Sequence, residues 1–494
     1  MLALPALALG KPAPKAVEPL RFERMHVGGR LLSVHAVDLD GDARKDLIAI
    51  WASGAPPDVK RHVAIFFDHH GYHVEPDVDF IPPPATSFVT AADLDGDGKR
   101  ELLLGEGDGL SIARLSGKAF LAPVRIVNQL AIALPPDSDD LPWLDLARDW
   151  DGDGRVAILV PLLDRLTFVR RAADGTWSRD GDLQVMPRAT FRVRDELHEP
   201  RAPNYLVRTI LTVPDLVLAD WDGDGQRDLI AIIDDTLTVF AGTPAHRFAT
   251  APTAHVSLGV RTEAEAARGN AQVQITVRDL DGDGVADLAV SKVTGGLSAM
   301  HATLRFYFGT KGGGWGEPVQ TMLREGFAGA LAFADLDGDH RPELILPFTK
   351  VGFIEAARVL LTRRLSIGFE VHRNLGAKGF LEKPEIIHAV DFPIDYSANA
   401  EIDAPFPTLD GDFNGDGVPD FFAPAATDAV GVFLGGGKAL VADVAKAFVK
   451  IASTRYVSVL DLDGNGRADV LLFYRFNKDH EGEIDVLRNS GKGW

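Results

Sequence analysis

Apolar residues run along this chain in short stretches of strand length, paired across acidic turns. LLSVHAV, TSFVTAA, DLVLA, VQITVR, ALAFA and YVSVL lead into such turns, and DLIAIWA, ELLLGE, DLIAII, DLAVSK, ELILPF and DVLLFY follow them. Their length, alternation and β-branched or aromatic content predict β-strands, so each acidic turn joins two neighbouring strands. A second pattern recurs downstream, as in FFDHHGYHVEP, YFGTKGGGWGEP and FLGGGKALVA. It is a short strand, a glycine-containing turn, a bulky residue and an extended segment that often holds proline. That order predicts a hairpin ending in an edge strand, where proline is tolerated.

The acidic turns begin at Asp38, Asp93, Asp149, Asp220, Asp279, Asp335, Asp412 and Asp461, at intervals of 49 to 77 residues. A four-stranded unit repeating at that length is longer than a solenoid repeat and suits a propeller blade. The predicted fold is all-β, a β-propeller of eight four-stranded blades forming one domain over residues 17–494. The eighth unit reaches Trp494 before its outer strand, while VEPLRFERMHV, residues 17–27, has the pattern of that missing strand. Pairing of this segment with the last unit would close the ring and remove its exposed edges. Residues 1–16 hold a short apolar run without a basic start, and read as a signal-peptide remnant or a disordered tail. Extra sequence around 183–209, 354–364 and 391–409 is expected to form loops on the scaffold, where binding surfaces are carried.

Composition narrows the function. With 46% hydrophobic and 25% charged residues the chain is globular. Of its 71 acidic residues, 29 sit at the first, third, fifth and ninth positions of the eight turns, leaving 42 against 51 Lys and Arg. The net charge of −20 is therefore local, and with no clustered basic run it argues against both a nucleic-acid partner and an acidic tail. No cysteine is present, which excludes thiol catalysis, thiolate metal ligation and disulfides. No apolar stretch approaches the roughly 18 residues that span a bilayer.

The candidate metal ligands follow the turns. They are Asp38, Asp40, Asp42 and Asp46 in the first; Asp93, Asp95, Asp97 and Glu101 in the second; and Asp149, Asp151 and Asp153 in the third, where Ala157 takes the ninth position. The fourth to sixth carry Asp220, Asp222, Asp224 and Asp228, then Asp279, Asp281, Asp283 and Asp287, then Asp335, Asp337, Asp339 and Glu343. The last two carry Asp412, Asn414, Asp416 and Asp420, then Asp461, Asp463, Asn465 and Asp469. Two carboxylates about 4 Å apart repel by about 4 kcal/mol at an effective dielectric near 20, so such a turn calls for a cation. Oxygen donors without His or Cys select a hard ion, Ca²⁺ before Zn²⁺, with up to eight sites. Eight divalent ions would bring −20 to −4. The third site is expected to be weaker or completed by water. Glycine holds the fourth position throughout and the sixth in all but two turns, which have Ala43 and His340. The second and tenth positions are always apolar and are expected to anchor each loop in the core.

The DxDGDGxxD/E loop and the downstream FG turn of YFGTKGGGW and FLGGGKAL resemble the FG-GAP/VCBS repeats of the integrin α-subunit head and of bacterial secreted proteins, over residues 17–494. The resemblance implies blades with Ca²⁺ between their first two strands, and a secreted, periplasmic or cell-surface location. The integrin head has seven blades, the alternative count; eight complete units look more like bacterial eight-bladed members, some of them rhamnogalacturonan lyases. Two functions are then in view. One is a monomeric, non-catalytic scaffold for a protein or glycan ligand, as in cell adhesion, that binds on the face opposite the metal loops. The other is a polysaccharide lyase working in the central channel, although no HExxH, GxSxG, P-loop or dinucleotide-binding glycine motif occurs. His35, Asp145, Arg148 and Arg278 would supply its polar groups, and read more simply as channel lining. Asp68, His69, His70 and His73 read more simply as a hairpin cap than as a transition-metal site.

Overall fold

The computed structural model describes residues 20–494 apart from 56–57, 129–139, 163, 186–187, 195–205, 246, 263, 266–270, 296–299, 351, 396–400, 403–404, 427–428, 437–439, 453 and 493. The N-terminal segment 1–16 and the centre of the 183–209 insertion lie outside the described residues. Blade one consists of Arg30–Val37, Asp46–Ser53, Lys60–Phe66 and Val78–Phe80, antiparallel and hydrogen-bonded in that order. The same meander starts at Thr86–Ala92, Ala147–Arg148, Asp215–Ala219, Ala271–Arg278 and Thr408–Gly411. Blade six is larger, and its inner edge is split into Phe327–Ala328 and Ala332–Ala334, both paired with Glu343–Thr349. In blade eight, Tyr456–Leu460, Asp469–Phe473 and Glu483–Asn489 are completed by Leu20–His26, which pairs antiparallel with Glu483–Asn489 from Leu20↔Asn489 to His26↔Glu483. There are eight blades, closed by the N-terminal strand as expected.

The core lies between blades. Along the second strand of blade one, Leu47, Ala49 and Trp51 join blade eight's Leu471 and Phe473, while Ile48 and Ile50 join blade two's Val89, Leu102 and Leu104. Side chains alternate across a strand, and here both faces are covered, so these strands read as unbroken apolar runs. Eight such clusters occupy the eight junctions, the last returning from blade eight to blade one. Each fully buried Leu, Ile, Val or Phe contributes about 1.5–3 kcal/mol relative to exposure.

Antiparallel order sorts the connections into two faces. First strands end, and second strands begin, at the acidic loops, so all eight loops share one face with the hairpins that follow the third strands. Connections from second to third strand, and from fourth strand to the next blade, emerge on the other face. The insertions fall there: a hairpin of Arg188–Arg194 with Leu206–Thr212 between blades three and four, and a helix, α1 (Phe353–Thr362), between the second and third strands of blade six. No residue of α1 is buried, and Phe353, Ile354, Leu360 and Leu361 are each at least 68% exposed. Among the described residues no helix is long and apolar enough to cross a membrane.

Ring closure is reinforced by a buried carboxylate. Asp485, with 2% side-chain exposure, accepts from Arg24 Nε and Nη2 at 2.7 and 2.8 Å and from the Tyr474 hydroxyl at 2.7 Å. Asp485→Ala leaves a buried hydroxyl and an arginine without their acceptor, and is expected to cost about 3 kcal/mol in a denaturant titration.

Candidate metal centres

Each acidic loop builds the same frame from its own backbone. The first-position Asp accepts the N–H groups of positions four and six, as Asp38 does from Gly41 and Ala43 at 2.8 and 3.0 Å and Asp412 from Gly415 and Gly417 at 2.6 and 2.7 Å. The other six loops repeat this pair. The fifth-position side chain accepts the N–H of position seven in all eight loops. Such tight wrapping needs left-handed backbone. The fourth-position glycines have φ between +73° and +84°, and Ala43 and His340 adopt +72° and +68° where the other loops have glycine.

The ninth-position acid does something else. It is buried in every loop that has one, from Asp420 and Asp469 at 0% to Glu101 at 5% exposure. One of its oxygens accepts the N–H of position two, for example Leu280 to Asp287 at 2.7 Å and Leu462 to Asp469 at 2.9 Å. Its other oxygen commonly accepts from the turn after the third strand: Gly242 to Asp228 and Gly309 to Asp287 at 2.7 Å, Gly435 to Asp420 at 2.8 Å. This explains the glycine of the FG turn. A Cβ on Gly242, Gly309 or Gly435 would lie 2.3, 2.6 or 2.0 Å from the carbonyl oxygen of the eighth loop position, at Arg227, Ala286 and Pro419. Where Asn374 and Asn489 stand instead, their Nδ2 donates to the corresponding carbonyls of Pro342 and Ala468 at 2.8 and 3.1 Å. The anchoring residues behave as expected, since every second-position residue from Leu39 to Leu462 and every tenth-position residue from Leu47 to Val470 is buried.

The carboxylates come close enough to share an ion. Asp38, Asp40 and Asp42 present oxygens within 4.8 Å of one another, as do Asp93, Asp95 and Glu101, Asp149, Asp151 and Asp153, Asp220, Asp222 and Asp228, and Asp279, Asp281 and Asp287. Burial pushes the ninth-position acid up in all seven loops that have one: to about 6 at Asp46, Asp420 and Asp469, to about 7 at Asp287 and Glu343, and in the same direction at Glu101 and Asp228. Asp222 and Asp281 are raised too, by burial and then by neighbouring carboxylates. Oδ1 of Asp95 and Oδ1 of Asp337 are buried without a hydrogen-bond partner. Unrelieved negative charge and unpartnered oxygens fit a hard cation, and the donor set is the one Ca²⁺ takes.

The channel candidates each make their own contacts. His35 stacks on Trp143 at 4.3 Å and its Nε2 lies 2.9 Å from Ser33 Oγ. Arg148 lies over Trp150 at 3.8 Å, Arg278 donates to the Phe333 carbonyl at 3.0 Å, and Asp145 is exposed. The Asp68 cluster is a hairpin cap. Asp68 accepts Gly71 N–H at 2.8 Å and pairs with Arg44 and Arg488, while His73 turns to Asp77. Sequence reasoning overlooked a chain on the opposite face of blade one: Ser53 Oγ is 2.9 Å from His62 Nε2, and His62 Nδ1 is 2.8 Å from Asp79 Oδ2. Such an order can activate a serine, but burial runs the wrong way, with His62 at 9% side-chain exposure and stacked on Trp51, and Asp79 at 37%. It ties three strands together. Only the register of those strands brings the three residues to one face.

Eight four-stranded sheets repeated around a ring and closed by a strand from the other end of the chain define a β-propeller. Residues 220–290, from the fourth acidic loop into the fifth blade, match the family model of the FG-GAP-like repeat, and the eight-bladed architecture is consistent with a propeller of such repeats. No curated protein matches the chain significantly. Among solved structures, an Agrocybe aegerita lectin studied for its recognition of non-reducing terminal N-acetylglucosamine is similar at 15% identity, with 93% of this chain and 99% of that chain covered and a TM-score of 0.44. BBS1N in complex with ARL6DN is similar at 10% identity, with 82% and 95% covered and a TM-score of 0.36. Both similarities concern the fold.

Two outcomes test these contacts. His340 holds a left-handed backbone with its side chain 97% exposed, so His340→Gly is expected to raise stability by about 0.5–1 kcal/mol in a denaturant titration. Burial pushes the His35 imidazole down to about 4, so the folded protein keeps it neutral while the unfolded chain protonates near 6.5. Its contribution is complete above pH 6.5 and is lost as pH falls from there toward 4. Denaturant titrations at pH 7 and pH 5 should show a smaller loss for His35→Phe than for the parent protein.

Proposed function

We propose that the protein is a calcium-stabilised, non-catalytic scaffold of the cell surface, periplasm or extracellular space that binds a protein or glycan on the face opposite its acidic loops. The calcium part rests on one observation: in seven loops a buried ninth-position carboxylate stands beside further oxygen donors. Asp38, Asp40 and Asp42, with their counterparts around the ring, would hold the ion, whose contribution is charge compensation and loop rigidity. At tenfold excess over its dissociation constant, each bound ion adds about 1.4 kcal/mol to the folded state. Dissociation constants of 10⁻⁴–10⁻³ M, the range of extracellular modules, would fill such sites outside the cell and leave them empty in the cytosol.

Topology supports this choice of face. One face is committed to loop carboxylates and their backbone donors, whereas the other carries the 188–212 hairpin, the extension of blade six that pairs with Glu401–Ile402, and the four exposed apolar side chains of α1. Exposed apolar clusters of this kind mark interaction surfaces.

Protein stripped with EGTA is expected to melt several degrees lower than protein in 2 mM CaCl₂, and elemental analysis of dialysed protein should find calcium at several ions per chain. Coincident melting curves and a calcium-free dialysate would overturn the calcium reading.

A further inference from the structure

The third loop departs from the other seven in what surrounds its carboxylates. The ladder of blade three sets Arg170 opposite Ala157, the ninth position. Arg170, with 7% side-chain exposure, turns into the loop: Nη2 lies 2.8 Å from Asp151 Oδ2, and Nη1 lies 3.0 and 2.9 Å from Asp153 Oδ1 and Oδ2. Its Nε is 2.8 Å from Asp180, on the outer strand of the same blade. A second guanidinium arrives from blade four. Arg247 Nη1 is 2.9 Å from Asp151, and Nη2 is 3.3 Å from Asp180.

The equivalent of residue 170, one step beyond the last ladder pair, is Phe67, Ala241, Phe308 or Leu434 in blades one, four, five and seven. Blades two, six and eight also have arginine there, but they keep the ninth-position acid and share the arginine more loosely or more widely. Arg114 stays 3.5 and 3.7 Å from Asp95 and Glu101, Arg373 divides itself between Asp337 and Glu385, and Arg488 lies nearer Asp68 at 3.0 Å than Asp463 at 3.6 Å. Among the described residues, blade three alone has one guanidinium within 3.0 Å of both the third-position and the fifth-position carboxylates.

We infer that the third loop takes no divalent ion, because Arg170 and Arg247 occupy the space and compensate the charge that an ion would. The charges support this exchange. Relative to the five loops with four carboxylates, Ala157 removes one negative charge and Arg170 adds one positive charge, a change of +2 equal to that of the ion. Asp151 Oδ2 is shared by two arginines, and an ion entering between Asp151 and Asp153 would have to displace both bidentate and bridging contacts. The consequence is positional. Arg247 crosses from blade four to blade three at the junction that the Arg188–Thr212 hairpin interrupts, so this junction is locked whether or not calcium is present.

The inference rests on the reading of the other loops as cation sites, and hydrogen exchange read by mass spectrometry on the full chain separates the two. Adding EGTA to calcium-loaded protein is expected to speed exchange at least tenfold in peptides covering 220–229 and 279–288 and to leave 149–158 unchanged. Equal loss of protection at 149–158 overturns the arginine lock. If 220–229 and 279–288 do not respond, the calcium reading fails, and the lock is then judged on variants alone. Arg170→Gln, and the milder Arg247→Gln should the first not fold, are expected to speed exchange in 149–158 at least tenfold in EGTA; unchanged protection in both overturns the proposal.

Discussion

The structure turns on a carboxylate buried at the ninth position of seven of the eight acidic loops. Burying an anion costs several kcal/mol unless its oxygens are satisfied, and here the satisfying donors come from separate parts of the blade. One oxygen of Asp287 holds Leu280 N–H at the start of the loop, and the other holds Gly309 N–H in the turn after the third strand. Three strands thus meet at one side chain. The loop can place its remaining carboxylates toward solvent only because this one fixes where the loop begins and where the hairpin folds back.

That local clamp propagates around the ring. In several loops the eighth position donates its N–H to a carbonyl of the preceding blade's loop: Arg100 to Leu39 at 2.9 Å, Ala286 to Asp220 at 2.7 Å, Ala468 to Asp412 at 2.8 Å and Lys45 to Leu462 at 2.7 Å across the closure, whereas Pro342 and Pro419 have no N–H to give. These bonds link neighbouring loops at several junctions, the closure included. The extra hairpin and the solvent-exposed helix lie on the opposite face, away from the loops. A rigid rim and a variable face arise from the same antiparallel order.

Much of this was legible in the sequence because the determinants are local. Eight loops at fixed internal spacing, the apolar second and tenth positions, and the unmatched strand pattern in residues 17–27 set blade number, register and closure. What escaped reading was non-local. Blade three's inner strand shrinks to Ala147–Arg148 because the preceding segment bonds instead to blade two, with Leu144 N–H to Val89 at 3.2 Å and Val89 N–H to Pro142 at 3.0 Å. Blade six's inner edge breaks around Gly329, whose N–H goes to Pro347 at 2.7 Å. Asn374 and Asn489 look like lost FG glycines until their side chains are seen holding the carbonyl that glycine lets approach. The Ser53, His62 and Asp79 chain, like Arg170, becomes visible only once strand register is known.

Arg170 also changes how Ala157 is to be understood. Taken alone, alanine at the ninth position is the loss of a ligand and of two hydrogen-bond acceptors, and the sequence reading of a weaker, water-completed site followed from that. Placed opposite Arg170 in the ladder, the small side chain is what leaves the guanidinium a path to Asp151 and Asp153. Burial tends to raise Asp153, but the hydrogen bonds from Arg155 and the charge of Arg170 outweigh it and hold its carboxyl below the ordinary range, as the hydrogen bond from Arg341 does for Asp339 in the sixth loop. A loop that has already met its need for positive charge offers an ion little further gain.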